Sequence, residues 1–325
     1  MAFTTRLRYS LFIASIIWVV WLASLGINDA LSHVINNWHI SLTMAFGSII
    51  AGATSEGGGA VAFPVFTKLL HIAPWDAKLF AIAIQSIGMT AASLVIFIMR
   101  IKVEWHVILW ASIGGAFGML LGATWIAPFL PPDVIKMTFT VMASSFALVL
   151  AVLNRQDRNC HYSLPEKGQR EKNVLLLVGF IGGILSSMVG TGIDILTFSV
   201  LVLLFRVSEK IATPTSVILM AINSIVGLFV YVGLLDQMNQ EVFSYWMAAI
   251  PIVVVGAPLG AIICAYMSRK LIANFLIGLI AIELISSLLI IQLRTPVIIF
   301  SVITLIGCLV SYYLMLQSQR YQRLL

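Results

Sequence analysis

Charged residues are scarce in this chain. Asp, Glu, Lys and Arg make up 10% of its 325 residues, whereas a soluble domain carries about 25% because its surface faces water. Hydrophobic residues make up 60%, and the mean hydropathy is +1.04. A water-soluble globule of this length could not hide so much apolar surface. Lipid is the remaining cover, so the composition predicts a polytopic α-helical membrane protein. Cysteine is sparse as well. Cys160, Cys264 and Cys308 show no paired spacing, which excludes a disulfide framework and leaves no cysteine metal site. The five histidines are dispersed, no G-x-x-x-x-G-K-[ST] phosphate loop is present, and no nucleophile–base pair stands out. No catalytic residue, metal site or cofactor is therefore assigned, and the chain reads as a non-enzyme. The net charge of +6 comes from basic residues lying between apolar runs rather than clustered, so no nucleic-acid partner is expected.

What is abundant is long apolar runs. Eight can cross a bilayer as helices, which takes about 20 residues: 7–27, 79–99, 105–128, 134–153, 211–234, 243–267, 271–291 and 296–316. Two more, 41–70 and 173–205, are interrupted by Gly57-Gly58-Gly59 and by Gly190-Thr191-Gly192. Each of their arms is shorter than a comfortable span, so each run is expected to be a helical hairpin that enters the membrane, breaks at glycine and returns. With the N-terminus inside, most of the 19 Lys and Arg fall on the cytoplasmic side, leaving Lys68, Lys78, Lys136 and Arg294 outside. Both termini are then cytoplasmic. Arg6 and Arg8 before an apolar run resemble a signal peptide, but the run is long, and a retained anchor is expected.

The chain repeats itself. Gly118-Met-Leu-Leu-Gly122-Ala123 recurs as Gly256-Ala-Pro-Leu-Gly260-Ala261, and Ala83-Ile-Gln85-Ser86 matches Thr213-Pro-Thr215-Ser216. This predicts five segments: an N-terminal helix and external loop (1–40), repeat 1 (41–153), a cytoplasmic linker (154–172), repeat 2 (173–291), and a C-terminal helix and tail (292–325). Each repeat is a broken hairpin plus three spans. Three is odd, so the second repeat enters from the opposite face, and such inverted repeats are a common basis for alternating access.

The breaks are the candidate site. A helix that restarts after glycine presents backbone amides and a positive dipole end, which attract an anion. The pattern shows no lysine or arginine at mid-depth, so backbone and hydroxyl donors would do the binding in a midplane pocket. Gly57, Gly58, Gly59, Gly190, Thr191 and Gly192 are the candidate backbone contacts, and Gln85, Ser86, Thr215 and Ser216 the side-chain ones. Glycines of this kind can also serve only to let helices approach. Intramembrane carboxylates are costly and are candidates for function. Glu56, Asp194 and Glu283 are the proton-coupling candidates, with Glu56 preferred; a helix cap is the competing role for Glu56 and Asp194.

Gly57-Gly58-Gly59-Ala-Val-Ala-Phe-Pro64, its degenerate copy at Gly190–Gly192 and the paired Gly-x-x-x-Gly-Ala helices resemble the TauE/SafE family of sulfite and organosulfonate exporters, over about residues 41–291. The resemblance implies a bacterial inner-membrane secondary transporter of small sulfur anions such as sulfite, sulfoacetate or thiosulfate, coupled to protons. Thr191, Asp194 and Thr197 depart from the first copy. An anion channel, or a membrane-embedded assembly partner without transport, is the alternative. The expected partners are the lipid bilayer and a small anion.

Overall fold

The computed structural model describes residues 3–55, 65–155 and 159–318. They form twelve helices with no strand among them: α1 Phe3–Leu25, α2 Ile27–Asn36, α3 Trp38–Ala53, α4 Pro74–Ile98, α5 Trp105–Leu121, α6 Pro132–Asn154, α7 Gln169–Val189, α8 Ile193–Leu203, α9 Glu209–Leu228, α10 Gln240–Tyr266, α11 Arg269–Ile290 and α12 Thr295–Gln317. Nine of the described helices are long and apolar enough to cross a membrane. The outward faces carry large apolar side chains, such as Phe97, Phe117, Trp125 and Leu289, as a lipid-facing surface requires.

The eight expected spans are present within a few residues of their expected ends. The ninth is α7, the first arm of the second hairpin. At 21 residues it is long enough to cross, at odds with the expectation that each arm falls short. The glycines mark only its far end. The returning arm α8, with 11 residues, and α3, with 16, are short. Part of the expected external loop, Ile27–Asn36, is helical. His161 of the linker is tied to the bundle, because its amide donates to the Arg206 carbonyl and its carbonyl accepts from the Ser208 amide.

Small residues set the closest helix contacts. A Cβ on Gly114 or Gly118 of α5 would strike the carbonyl oxygens of Leu176 or Phe180, and one on Gly183 of α7 would strike that of Gly115. On the other side of the bundle, a Cβ on Gly52 of α3 would strike the Ala257 oxygen, and one on Gly260 of α10 the Ile49 oxygen. The Gly-x-x-x-Gly-Ala runs are thus two seams, α5 along α7 and α10 along α3, where backbones meet without side chains between them. Along α5 and α7, Gly114 meets Leu176 and Gly118 meets Phe180, and along α3 and α10, Asn37 meets Ser244, Ser41 meets Ala248 and Ser48 meets Gly256, so in each seam the paired helices run parallel.

The helices α4 and α9 pack at the centre and run antiparallel, since Lys78 meets Tyr231, Ile82 meets Gly227 and Gln85 meets Ser224. Outside them, α6 packs on α11 and α12.

Candidate functional site

A cavity lies between α3, α4 and the end of α7. Its α4 wall is one helical face: Ala77, Phe80, Ala81, Ile84, Gln85, Gly88 and Met89 follow the three-to-four-residue spacing of a single stripe. Met44, Ser48 and Ala51 of α3 face it, with Phe66 behind the first hairpin and Val189, Gly190 and Thr191 at the second break. Both hairpin regions therefore meet at one cavity. Gln85 reaches its wall near the middle of α4, where its Oε1 accepts from Ser224 Oγ at 3.2 Å. The Ser48 hydroxyl, also on the wall, is buried with no hydrogen-bond partner among the described residues.

The second break has the backbone that the glycines suggested. Gly190 has φ 92° and Gly192 φ 149°, both in the region that favours glycine. A Cβ on Gly192 would also come within 2.8 Å of the Leu185 Cβ. The amides that follow, however, are not left open to a ligand. The Gly192 amide donates to Asp194 Oδ1 at 2.7 Å, the Ile193 amide donates to Ser186 Oγ at 3.0 Å, and the Thr191 hydroxyl donates to Asp194 Oδ2 at 2.7 Å. The carboxylate of Asp194 occupies the positive end of α8, where an anion from solution was expected. Asp194 is a buried helix cap. The depth differs too: Gly190 lies against Lys78 and Ala81, near the start of α4 rather than halfway along it.

Cationic side chains are present where none was expected. Lys136 lines the cavity and is 5% exposed; its Nζ lies 2.7 Å from Glu283 Oε1. Thr140 Oγ1 donates to the same oxygen at 3.2 Å and lies 3.1 Å from Ser287 Oγ. Lys78, 4% exposed, has its Nζ 3.3 Å from the centre of the Trp75 ring and 3.2 Å from Tyr231 Oη. Both lysines line an adjoining cavity with Pro74, Ala127, Leu130, Ile135, Met188 and Val189. The two cavities share Lys136 and Val189. Both lysines, which charge counting put on the external side, are buried between helices in the first turns of α4 and α6. A signal was available, because Lys136 falls inside the apolar run 134–153, and an intramembrane cation is a functional candidate by default. Ser48 left no such signal.

The remaining candidates divide. Gln85, Gly190 and Thr191 line the cavity. Ser86 donates to the Ala83 carbonyl within its own helix, and Ser216 to that of Thr213. Thr215 donates to the Ile211 carbonyl and accepts from the Glu104 amide, tying α9 to the start of α5. These three lie off the cavity wall. Glu56, Gly57, Gly58 and Gly59 lie outside the described residues.

The family model described as Sulfite exporter TauE/SafE matches residues 40–287. No curated protein and no solved structure matches the chain.

Proposed function

This chain belongs to the sulfite exporter TauE/SafE family, and on that premise we propose that it is a secondary transporter of small sulfur-containing anions such as sulfite, sulfoacetate or thiosulfate. The observation that carries the reading is the cavity wall where α3, α4 and the second break meet, with Lys136 in it. A buried cation is costly in a membrane and is tolerated where it is paired or faces a polar path. Lys136 does both, since it is paired with Glu283 and faces the cavity.

Transport proceeds by rocking of two inverted repeats about this cavity. Two observations favour that arrangement. The matched helices α4 and α9 run antiparallel, as helices related by inversion must. The α5–α7 seam and the α10–α3 seam each join the second span after one repeat's hairpin to the first arm of the other's hairpin. In alternating-access folds the site lies at such a repeat interface.

Glu283 is the proton-coupling group among the described carboxylates. It lies beside a cavity-lining lysine, whereas both oxygens of Asp194 are used to cap α8. An anion that draws Lys136 away weakens the attraction that favours the charged form of Glu283, and so favours uptake of a proton there. Binding of anion and of proton are thereby linked.

The test is flux into proteoliposomes with sulfite, thiosulfate, sulfoacetate and chloride, with and without a pH gradient. A sulfur anion should move saturably, faster with a gradient and faster under counterflow. If no sulfur anion moves, the substrate class is wrong; if flux neither saturates nor responds to counterflow, the protein is a channel.

A further inference from the structure

The cavity beside Lys78 is distinct from the one between α3 and α4, and it has an unusual balance of charge. Lys78 sits on the first turns of α4 and is buried. Its neighbours are specific. The Tyr231 hydroxyl donates its proton to the Ser187 carbonyl at 2.5 Å, so its oxygen lone pairs face the Lys78 ammonium as acceptor. The Trp75 ring covers a second side at 3.3 Å and the Tyr231 ring lies 4.4 Å away. Aromatic faces hold an ammonium but do not neutralise it. No carboxylate among the described residues pairs with Lys78, while Lys136, the other cation of this cavity, is bound to Glu283.

Placement adds a second reason. The Tyr231 side chain comes from the π-helical turn Phe229–Leu234 that ends α9, and Ser187 from the last turn of α7. Gly190 packs against the Lys78 backbone, where an added Cβ would come within 3.2 Å of its carbonyl oxygen. Three elements thus converge to fix one ammonium at the wall of this chamber. Apart from Lys136, the rest of the wall is apolar or aromatic, with Trp75, Leu130, Ile135 and Met188 prominent.

We propose that this chamber is a second anion subsite, in which Lys78 provides the counter-charge and the apolar wall takes the carbon part of an anion that has one. It would hold the anion before or after its passage through the adjoining cavity, since Lys136 and Val189 border both. The chemistry selects a compact monoanion with an apolar group over a bare inorganic oxyanion. The ammonium satisfies the charged end, and an inorganic ion would lose water on its other faces against Leu130, Ile135 and Met188 without replacement. This rests on the transporter reading for the role of the subsite but not for its existence.

The test is direct binding to the detergent-solubilised full chain, with propane-1-sulfonate and sulfite as probes and calorimetry as the readout. Propane-1-sulfonate should bind the unmodified protein more tightly than sulfite. Removing a charged hydrogen-bond donor in Lys78→Met should weaken propane-1-sulfonate binding by about tenfold or more, while Lys78→Arg keeps it within a few-fold. Should Lys78→Met not fold, Leu130→Trp keeps the lysine and fills the chamber, and it should weaken binding similarly. Propane-1-sulfonate affinity unchanged in Lys78→Met, or in Leu130→Trp, overturns the subsite. The flux assay is separate. Binding that depends on Lys78 in a protein that moves no sulfur anion removes the transport reading and leaves the subsite. Flux that persists with binding indifferent to Lys78 does the reverse.

Discussion

Lys136 Nζ and Glu283 Oε1 stand 2.7 Å apart across the α6–α11 contact, both buried, one of them on the wall of the central cavity. Two formal charges in an apolar bundle are stable together and costly apart. That asymmetry makes the pair both a structural element and a device that responds to an incoming charge.

Its structural side predicts a stability order. Lys136→Met should destabilise by about 3–5 kcal/mol, because buried Glu283 loses the cation that stands beside it. The double variant Lys136→Met/Glu283→Leu should recover much of that loss, since both desolvation penalties go together. Thermal unfolding in one detergent checks the order. A double variant less stable than the single one would show that the carboxylate is not the source of the cost.

The functional side concerns protons. Glu283→Gln keeps the size and one acceptor oxygen for Lys136 but cannot exchange a proton. Downhill anion flux should persist, while its acceleration by a pH gradient should disappear. Proteoliposome flux at matched anion gradients, with and without a pH step, reads this. A Glu283→Gln protein that responds to the gradient like the unmodified one would move the coupling role elsewhere.

Asp194 should behave as a cap. Asp194→Asn keeps an acceptor for the Gly192 amide, so fold and pH response should be preserved. Asp194→Ala leaves the amide and the Thr191 hydroxyl without their acceptor and should cost about 1–2 kcal/mol. Unfolding midpoints of the two variants give the comparison, and loss of gradient response in Asp194→Asn would contradict the assignment.

Two glycine substitutions should have opposite signs. Gly118→Ala places a Cβ against the Phe180 carbonyl in the α5–α7 seam, so backbones must separate, at about 1–3 kcal/mol. Gly278, in α11, has nothing within 4 Å of where its Cβ would stand. Gly278→Ala should therefore stabilise by about 0.5–1 kcal/mol through helix propensity alone. Unfolding in detergent measures both; equal shifts would mean that the seam is looser than described.

Part of this was readable in advance because it depends on composition and periodicity. Long apolar runs must become helices in lipid, since no water is there to satisfy an open backbone. For that reason the ends of α4, α6 and α10 fall close to where hydropathy put them. Gln85, Gly190 and Thr191 were found as cavity residues because a polar or glycine position inside an apolar run is conspicuous. Ser86 and Thr215 were equally conspicuous, yet they are spent on their own helices. The sequence pattern cannot separate the two uses, since a hydroxyl in a helix can always bond back one turn.

By itself the sequence determined that the chain lies in a membrane, where eight of the nine described spans run, and that glycine ends α7, because each follows from local chemistry repeated along the chain. Only the tertiary structure decided what fills the positive end of α8 and where the cations stand. Asp194 reaches it from two residues away, and Lys136 finds Glu283 on a helix 147 positions later. Which acceptor wins an amide, and which carboxylate neutralises a lysine, depends on distances set by packing rather than on spacing in the chain.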